Sequence, residues 1–105
     1  MYSEQIELVV QYKTTTQSGA VTIAESTKTI LGKKKSVNRS EFYAAYAVGL
    51  RLSHVWEIVP EEFTLADVTV DGKTYHATHI RYNGELYEIV RTYQVNEDAL
   101  EITVQ

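Results

Sequence analysis

The stretch Tyr75-His-Ala-Thr-His-Ile-Arg-Tyr-Asn-Gly-Glu-Leu-Tyr-Glu-Ile-Val-Arg-Thr-Tyr93 decides the fold class of this chain. Two runs of alternating apolar and polar residues flank Asn83-Gly84. That pair suits a two-residue type I′ hairpin turn, in which both central residues take positive φ. The register then follows, with Ile80 opposite Tyr87, Arg81 opposite Leu86 and Tyr82 opposite Glu85. One surface is expected to collect Ile80, Tyr82, Tyr87, Ile89 and Tyr93, and the other to carry Arg81, Glu88 and Thr92.

The rest of the chain reads in the same way. Ile6, Leu8, Val10 and Tyr12 alternate against Glu7, Val9 and Gln11, a strand over 6–12. After the polar cluster from Thr14 to Gly19, Val21 to about Ile30 forms a second extended stretch, with Val21 and Ile23 on one face. Gly32-Lys-Lys-Lys-Ser36 is expected to break it. A helix over about 39–49 follows, with Asn38 as its cap, Glu41 closing a capping box and Gly49 stopping it. Phe42, Tyr46 and Leu50, widened by Tyr43 and Ala47, give it an apolar stripe that needs a packing partner. Leu52, His54, Trp56 and Ile58 alternate as a strand until Pro60, and Glu61-Glu62-Phe63 reads as a connection. Asp71-Gly72 signals a second hairpin, pairing Val68 and Val70 with Tyr75 and Ala77. Leu100, Ile102 and Val104 make a last strand behind Asn96-Glu-Asp98. The expected fold is one mainly β domain over 1–105: a small antiparallel β-barrel of six or seven short strands, with one helix covering an open end.

At 105 residues the chain buries about two thirds of its unfolded surface, enough for one modest core. It has no cysteine, so disulfides and thiolate zinc sites are excluded. No signal peptide and no membrane-spanning apolar run is visible, so a soluble protein made in a cytoplasm, without membrane contact, is expected. The net charge of −4 divides unevenly: residues 1–60 sum to +2 and residues 61–105 to −6. Lys28, Lys33, Lys34, Lys35 and Arg39 form a run with no acidic residue from 26 to 40. An acidic chain is a poor general binder of nucleic acid, but a basic loop on an acidic body can touch DNA where geometry presents it. A solvated lysine loop is the plainer reading.

No motif for catalysis emerges. His76 and His79, three apart on a strand, point to opposite faces, and His54 lies elsewhere, so no metal site is expected. Glu61-Glu62 and Glu97-Asp98 are adjacent pairs in loops, unlike carboxylates held across a cleft. The five glycines are scattered as turn residues, and no nucleophile elbow or phosphate loop is present. The chain is therefore read as no enzyme, with no cofactor. Eight tyrosines suit a core and its rim. A stacking platform for single strands would need interleaved basic residues, whereas Arg81 and Arg91 sit among Glu85, Glu88, Glu97 and Asp98.

Two phrases carry a family resemblance. Val37-Asn-Arg-Ser-Glu-Phe-Tyr-Ala-Ala45, followed by Gly49-Leu50, resembles the helix motif of the phage head-closure proteins, also called head–tail adaptors or stoppers, of long-tailed phages and prophages. Tyr87-Glu-Ile-Val-Arg-Thr-Tyr93, with Asp98 to Ile102 behind it, is similar to that family's C-terminal hairpin and last strand. The resemblance spans about residues 20–104. It implies a small β-barrel with a helix, present in many copies as a ring at the head–tail interface of the virion. Such a ring sits below the portal or adaptor ring protein, retains packaged DNA and accepts the tail through its completion or terminator protein.

On that footing Lys28, Lys33, Lys34, Lys35 and Arg39 are the candidate channel- or DNA-facing loop, and Glu61, Glu62, Glu97 and Asp98 the candidate partner interface. Weak self-association is expected in solution, with order imposed by a template ring. The alternative function is a small β-barrel that binds nucleic acid as a free module.

Overall fold

A computed structural model describes residues 2–37 and 39–105. The expected cap at Asn38 lies outside the described residues. Among those residues the chain forms eight strands and two helices: β1 (Glu4–Thr15), β2 (Val21–Lys35), α1 (Arg39–Ala47), β3 (His54–Ile58), α2 (Pro60–Leu65), β4 (Val68–Val70), β5 (Lys73–Tyr75), β6 (His79–Tyr82), β7 (Glu85–Asn96) and β8 (Ala99–Val104). Six strands pair antiparallel in the order β1-β2-β3-β8-β7-β6 and close into a barrel, while β4 and β5 form a separate hairpin. Neither helix is long and apolar enough to cross a membrane.

The hairpins form where the turn residues demand. Asn83 and Gly84 take φ of 50° and 80°, and Asp71 and Gly72 take 52° and 78°, so both turns have the two positive φ values of type I′. Ile80 pairs with Tyr87, Arg81 with Leu86 and Tyr82 with Glu85, as the two-residue loop requires. In the second hairpin Val68 pairs with Tyr75 but Val70 pairs with Lys73, not with Ala77. A two-residue turn at 71–72 fixes that register, and Ala77 lies past the ladder, buried against the core.

The core is a single cluster that includes Ile6, Leu8, Val10, Ile30, Trp56, Ile58, Ile80, Leu100, Ile102 and Val104. Removing these side chains from water supplies roughly 1.5–3 kcal/mol for each one fully buried. Phe63 and Ala66, from α2 and its end, and Val68 and Tyr75, from the β4–β5 hairpin, pack on the same cluster. The segment 60–77 therefore covers part of the core.

Four expectations are corrected. First, Gly32-Lys-Lys-Lys does not break β2; the strand runs through it to Lys35. At Gly32 the strand hands over from β1, where Glu4 pairs with Gly32, to β3, where Lys33 pairs with Glu57. A Cβ there would meet Ile6 Cδ1 at 3.2 Å and Ile58 Cγ2 at 3.3 Å, so glycine serves close packing at a barrel corner. Second, Pro60-Glu-Glu opens α2 and is no bare connection. Proline suits the first helical position, and carboxylates favour the first turn. Third, Val9 is fully buried between Thr27 and His79, although alternation placed it on the polar face. Fourth, Tyr93 leaves the apolar face and is 61% exposed. A bulge between Ile89 and Arg91 adds one residue to β7, which inverts the side chains from Arg91 to Gln94, and a second between Gln94 and Asn96 shifts the register again.

Gly32→Val is expected to lower stability by about 1–3 kcal/mol through overpacking at the corner. Urea unfolding followed by fluorescence of Trp56, the single tryptophan and fully buried, measures it.

Candidate functional site

The basic run lies mostly on a strand, which separates its side chains. Along β2 the even-numbered residues turn inward, as the buried Ile30 and Gly32 show, and the odd-numbered ones turn out. Lys33 and Lys35 therefore share the outer face, opposite Glu57 and Val55, while Lys34 pairs with Trp56. Lys35 is tied to Glu101 and lies 3.6 Å from Glu57, and the bond to Glu101 raises its pKa. Lys28 forms an ion pair with Glu62 at 3.5 Å. The ammonium of Lys34 lies 5.4 Å from the centre of the Tyr82 ring, a cation–π contact. Arg39 begins α1 and is exposed. The five candidates thus do not form one free basic loop: two are engaged with acids, and Lys33, Lys34 and Arg39 carry what charge is left to present.

The acidic candidates are brought closer together than sequence could show. Ile58 pairs with Leu100. Just past that pair, β3 leads into α2 with Glu61 and Glu62, and the turn holding Glu97 and Asp98 leads into β8. Both acidic pairs therefore sit at one end of the β3–β8 ladder. Glu62 is partly neutralised by Lys28, whereas Glu61, Glu97 and Asp98 are exposed.

At the opposite end of that ladder His54 lies in an aromatic cluster. Its ring stands edge-on to Tyr87, centroids 5.3 Å apart, and to Trp56 at 6.4 Å; Trp56 in turn meets Tyr82 at 4.9 Å. The Tyr82 hydroxyl donates to Glu4 and the Tyr87 hydroxyl to Glu85. Both bonds raise the tyrosine pKa values. Burial lowers the pKa of His54 below its ordinary 6.5, and the nearby Lys34 lowers it further. The other histidines have local partners: His76 Nδ1 is 3.0 Å from Asp67, and His79 Nδ1 is 2.8 Å from the Thr78 hydroxyl. Among the described residues no cluster of three potential ligands could hold a metal ion.

The surface features that sequence reasoning missed are apolar. Helix α1 buries no residue; Tyr43 is 62% and Tyr46 54% exposed. Gly49, at φ 89°, ends it in a Schellman motif, with Leu50 N–H donating to Ala45 and Gly49 N–H to Tyr46. It is held by an ion pair from Glu41 to Arg91 of β7 and by the Arg51 guanidinium, 4.0 Å from the Tyr46 ring centre. Val21 and Ile23 are 64% and 68% exposed on the β1–β2 ribbon, beyond the reach of β3 and β6. An open groove of about 700 Å³ runs beside that ribbon, lined in part by Tyr12, Lys13, Ile23, Tyr75, Thr78 and Ile89. The sign available in sequence was the β-branched run Val21-Thr-Ile23, which alternates without a matching inner partner.

Neither family models nor curated proteins give a match to this chain.

The aromatic end generates a pH dependence with a defined sign. Because the folded protein holds His54 neutral below pH 6.5, the unfolded chain binds the extra proton first. The contribution of His54 is thus fully present above 6.5 and is lost as pH falls through that value toward the folded pKa. Thermal unfolding between pH 7.5 and 5 is expected to show a smaller loss in His54→Gln than in the native chain; equal losses would assign the pH dependence elsewhere.

Proposed function

We propose that the chain is a structural virion protein: a subunit of a phage head–tail connector that closes the portal channel after DNA packaging and carries the tail attachment surface. The observation that carries this reading is the junction of the two resembling phrases. Glu41, in the first, forms an ion pair with Arg91, in the second, which ties the helix to the C-terminal hairpin. Around that junction apolar side chains stay outside the core, on α1 and β7, as they do on the β1–β2 ribbon. A subunit completed by neighbours has this form, since large exposed apolar areas mark interaction surfaces.

In this reading copies of the chain form a ring between the portal or adaptor ring protein and the tail-completion or terminator protein. The acidic end, with Glu61, Glu97 and Asp98 exposed, is the docking surface, where charge steers the partner more than it holds it. Lys33 and Lys34, on opposite faces of β2, carry the charge the run can offer to packaged DNA, and ring symmetry multiplies their weak individual attraction. The rival reading, a free nucleic-acid-binding barrel, fits the geometry less well. The two tyrosines nearest Lys34 and His54 present their hydroxyls to Glu4 and Glu85, and those carboxylates repel phosphate.

Electron microscopy of lysates from the parent phage or prophage lacking this gene tests the reading. Emptied heads beside free, complete tails are expected; normal filled virions would reject it. Within the same system, Lys33→Glu with Lys34→Glu is expected to reduce genome retention while leaving the Lys35 ion pairs in place. Undiminished retention and infectivity would remove the DNA-facing role from β2.

A further inference from the structure

The barrel wall is interrupted beside β6. This strand has four residues, whereas its neighbours β1 and β7 have twelve each. Thr78 ends the shared wall: its N–H donates to Val9 C=O, its C=O accepts from Ile89 N–H, and its hydroxyl accepts from Gln11 N–H. Past that point β1 has β2 alone as a ladder partner, and β7 has β8 alone.

The orientation of the free groups on β1 follows from its ladder. Thr16 N–H donates to Ala20 C=O, which makes the even-numbered pairs of the β1–β2 ribbon the hydrogen-bonded ones. The odd-numbered residues turn their main chain to the other edge. Gln11 C=O and both main-chain groups of Lys13 therefore face the groove that Gln11, Tyr12 and Lys13 line. Lys13 and Lys73 stand on this groove together with Glu88; among the described residues neither lysine forms an ion pair, and Lys73 lies 5.2 Å from the centre of the Tyr75 ring. On β7 every residue from Arg91 to Asn96 is exposed, Tyr93 and Val95 included, and the ribbon ends in the exposed Glu97 and Asp98.

We infer that these two edges are the halves of one interface: the β7 edge of one copy adds as a strand to the β1 edge of the next. This rests on the proposal that the chain is an assembly subunit, and it assigns the contact between copies. An added strand exchanges water for a matching row of N–H and C=O groups, and alternate side chains then set the fit. Charge selects the pairing. The acidic tip at Glu97 and Asp98 meets Lys13 and Lys73, whereas pairing β1 with β1 would bring the lysines of two copies together. The contact is head-to-tail, so it repeats from copy to copy and closes where the rotation allows.

Charge-swap variants test this in the full chain by sedimentation velocity. One carries Lys13→Glu with Lys73→Glu, and the other Glu97→Lys with Asp98→Lys. The native chain is expected to form dimers and larger species as its concentration rises toward about 1 mM. Each variant alone should associate about tenfold or more weakly, because its groove and tip then carry the same sign. An equimolar mixture should recover association, since each variant's groove complements the other's tip. Lys13→Pro, which removes an edge donor outside the β1–β2 ladder, should also abolish association while Trp56 fluorescence stays native. A monomeric native chain at the highest concentration, variants that associate as the native chain does, or a mixture that recovers nothing would each overturn the inference. Those outcomes concern only the contact between copies, whereas normal virions without the gene would reject the assembly role itself.

Discussion

Closure of the barrel depends on one strand belonging to both halves of its wall. β2 pairs with β1 up to Gly32 and with β3 from Lys33 onward, and the handover occurs where Ile6 and Ile58 crowd any added Cβ. If β2 ended at Gly32, the barrel would open between β1 and β3, leaving β3 and β8 joined to β1 only through β7 and the short β6, and the core around Trp56, Ile58 and Ile102 would be exposed along that seam. The same continuity decides the fate of the basic run. Its lysines are strand residues, held in alternate directions by the pleat, and Lys35, on the outer face, is engaged by Glu57 and Glu101.

A second constraint is the shortness of β6. Four residues suffice to close the ring of strands, with Thr78 fastening its end to β1 and β7 at once. What lies beyond is the β1–β2 ribbon on one side and the free edge of β7 on the other, with β8 paired to β3 behind it. The molecule is accordingly drawn out, with extents of 48 × 31 × 25 Å. A monomer gains little from Val21, Ile23, Tyr93 and Val95 on these edges, because they stay in water. An assembly gains directly, since these are edges and side chains that a neighbour can cover.

Much of this fold was legible in the sequence because hairpin turns are local. Asn83-Gly84 and Asp71-Gly72 need positive φ whatever surrounds them, and a two-residue loop fixes the pairing that follows. Alternation placed Ile6, Leu8, Val10, Trp56 and Ile102 in the core for the same reason. The misreadings were of residues whose role is set from a distance. Gly32 looked like a breaker, because its crowding comes from Ile6 and Ile58, far away in sequence. Tyr93 changed face through a bulge that no residue type announces. Val9, paired with Thr27 on one side and His79 on the other, is buried on the face that alternation leaves to polar residues. Of the candidate site, charge and order were visible; that Lys28 and Lys35 are paired with Glu62, Glu57 and Glu101 depended on tertiary register.

The central claim is that this barrel is the piece that seals a filled head and lets a tail attach. In vitro complementation tests it most directly: purified chain is added to packaged heads and complete tails from phage lacking the gene, and infectious particles are counted. The account predicts that titre rises with added protein and that the joined particles keep their DNA. No gain in titre, from heads that still accept tails when a native extract is supplied, would contradict it.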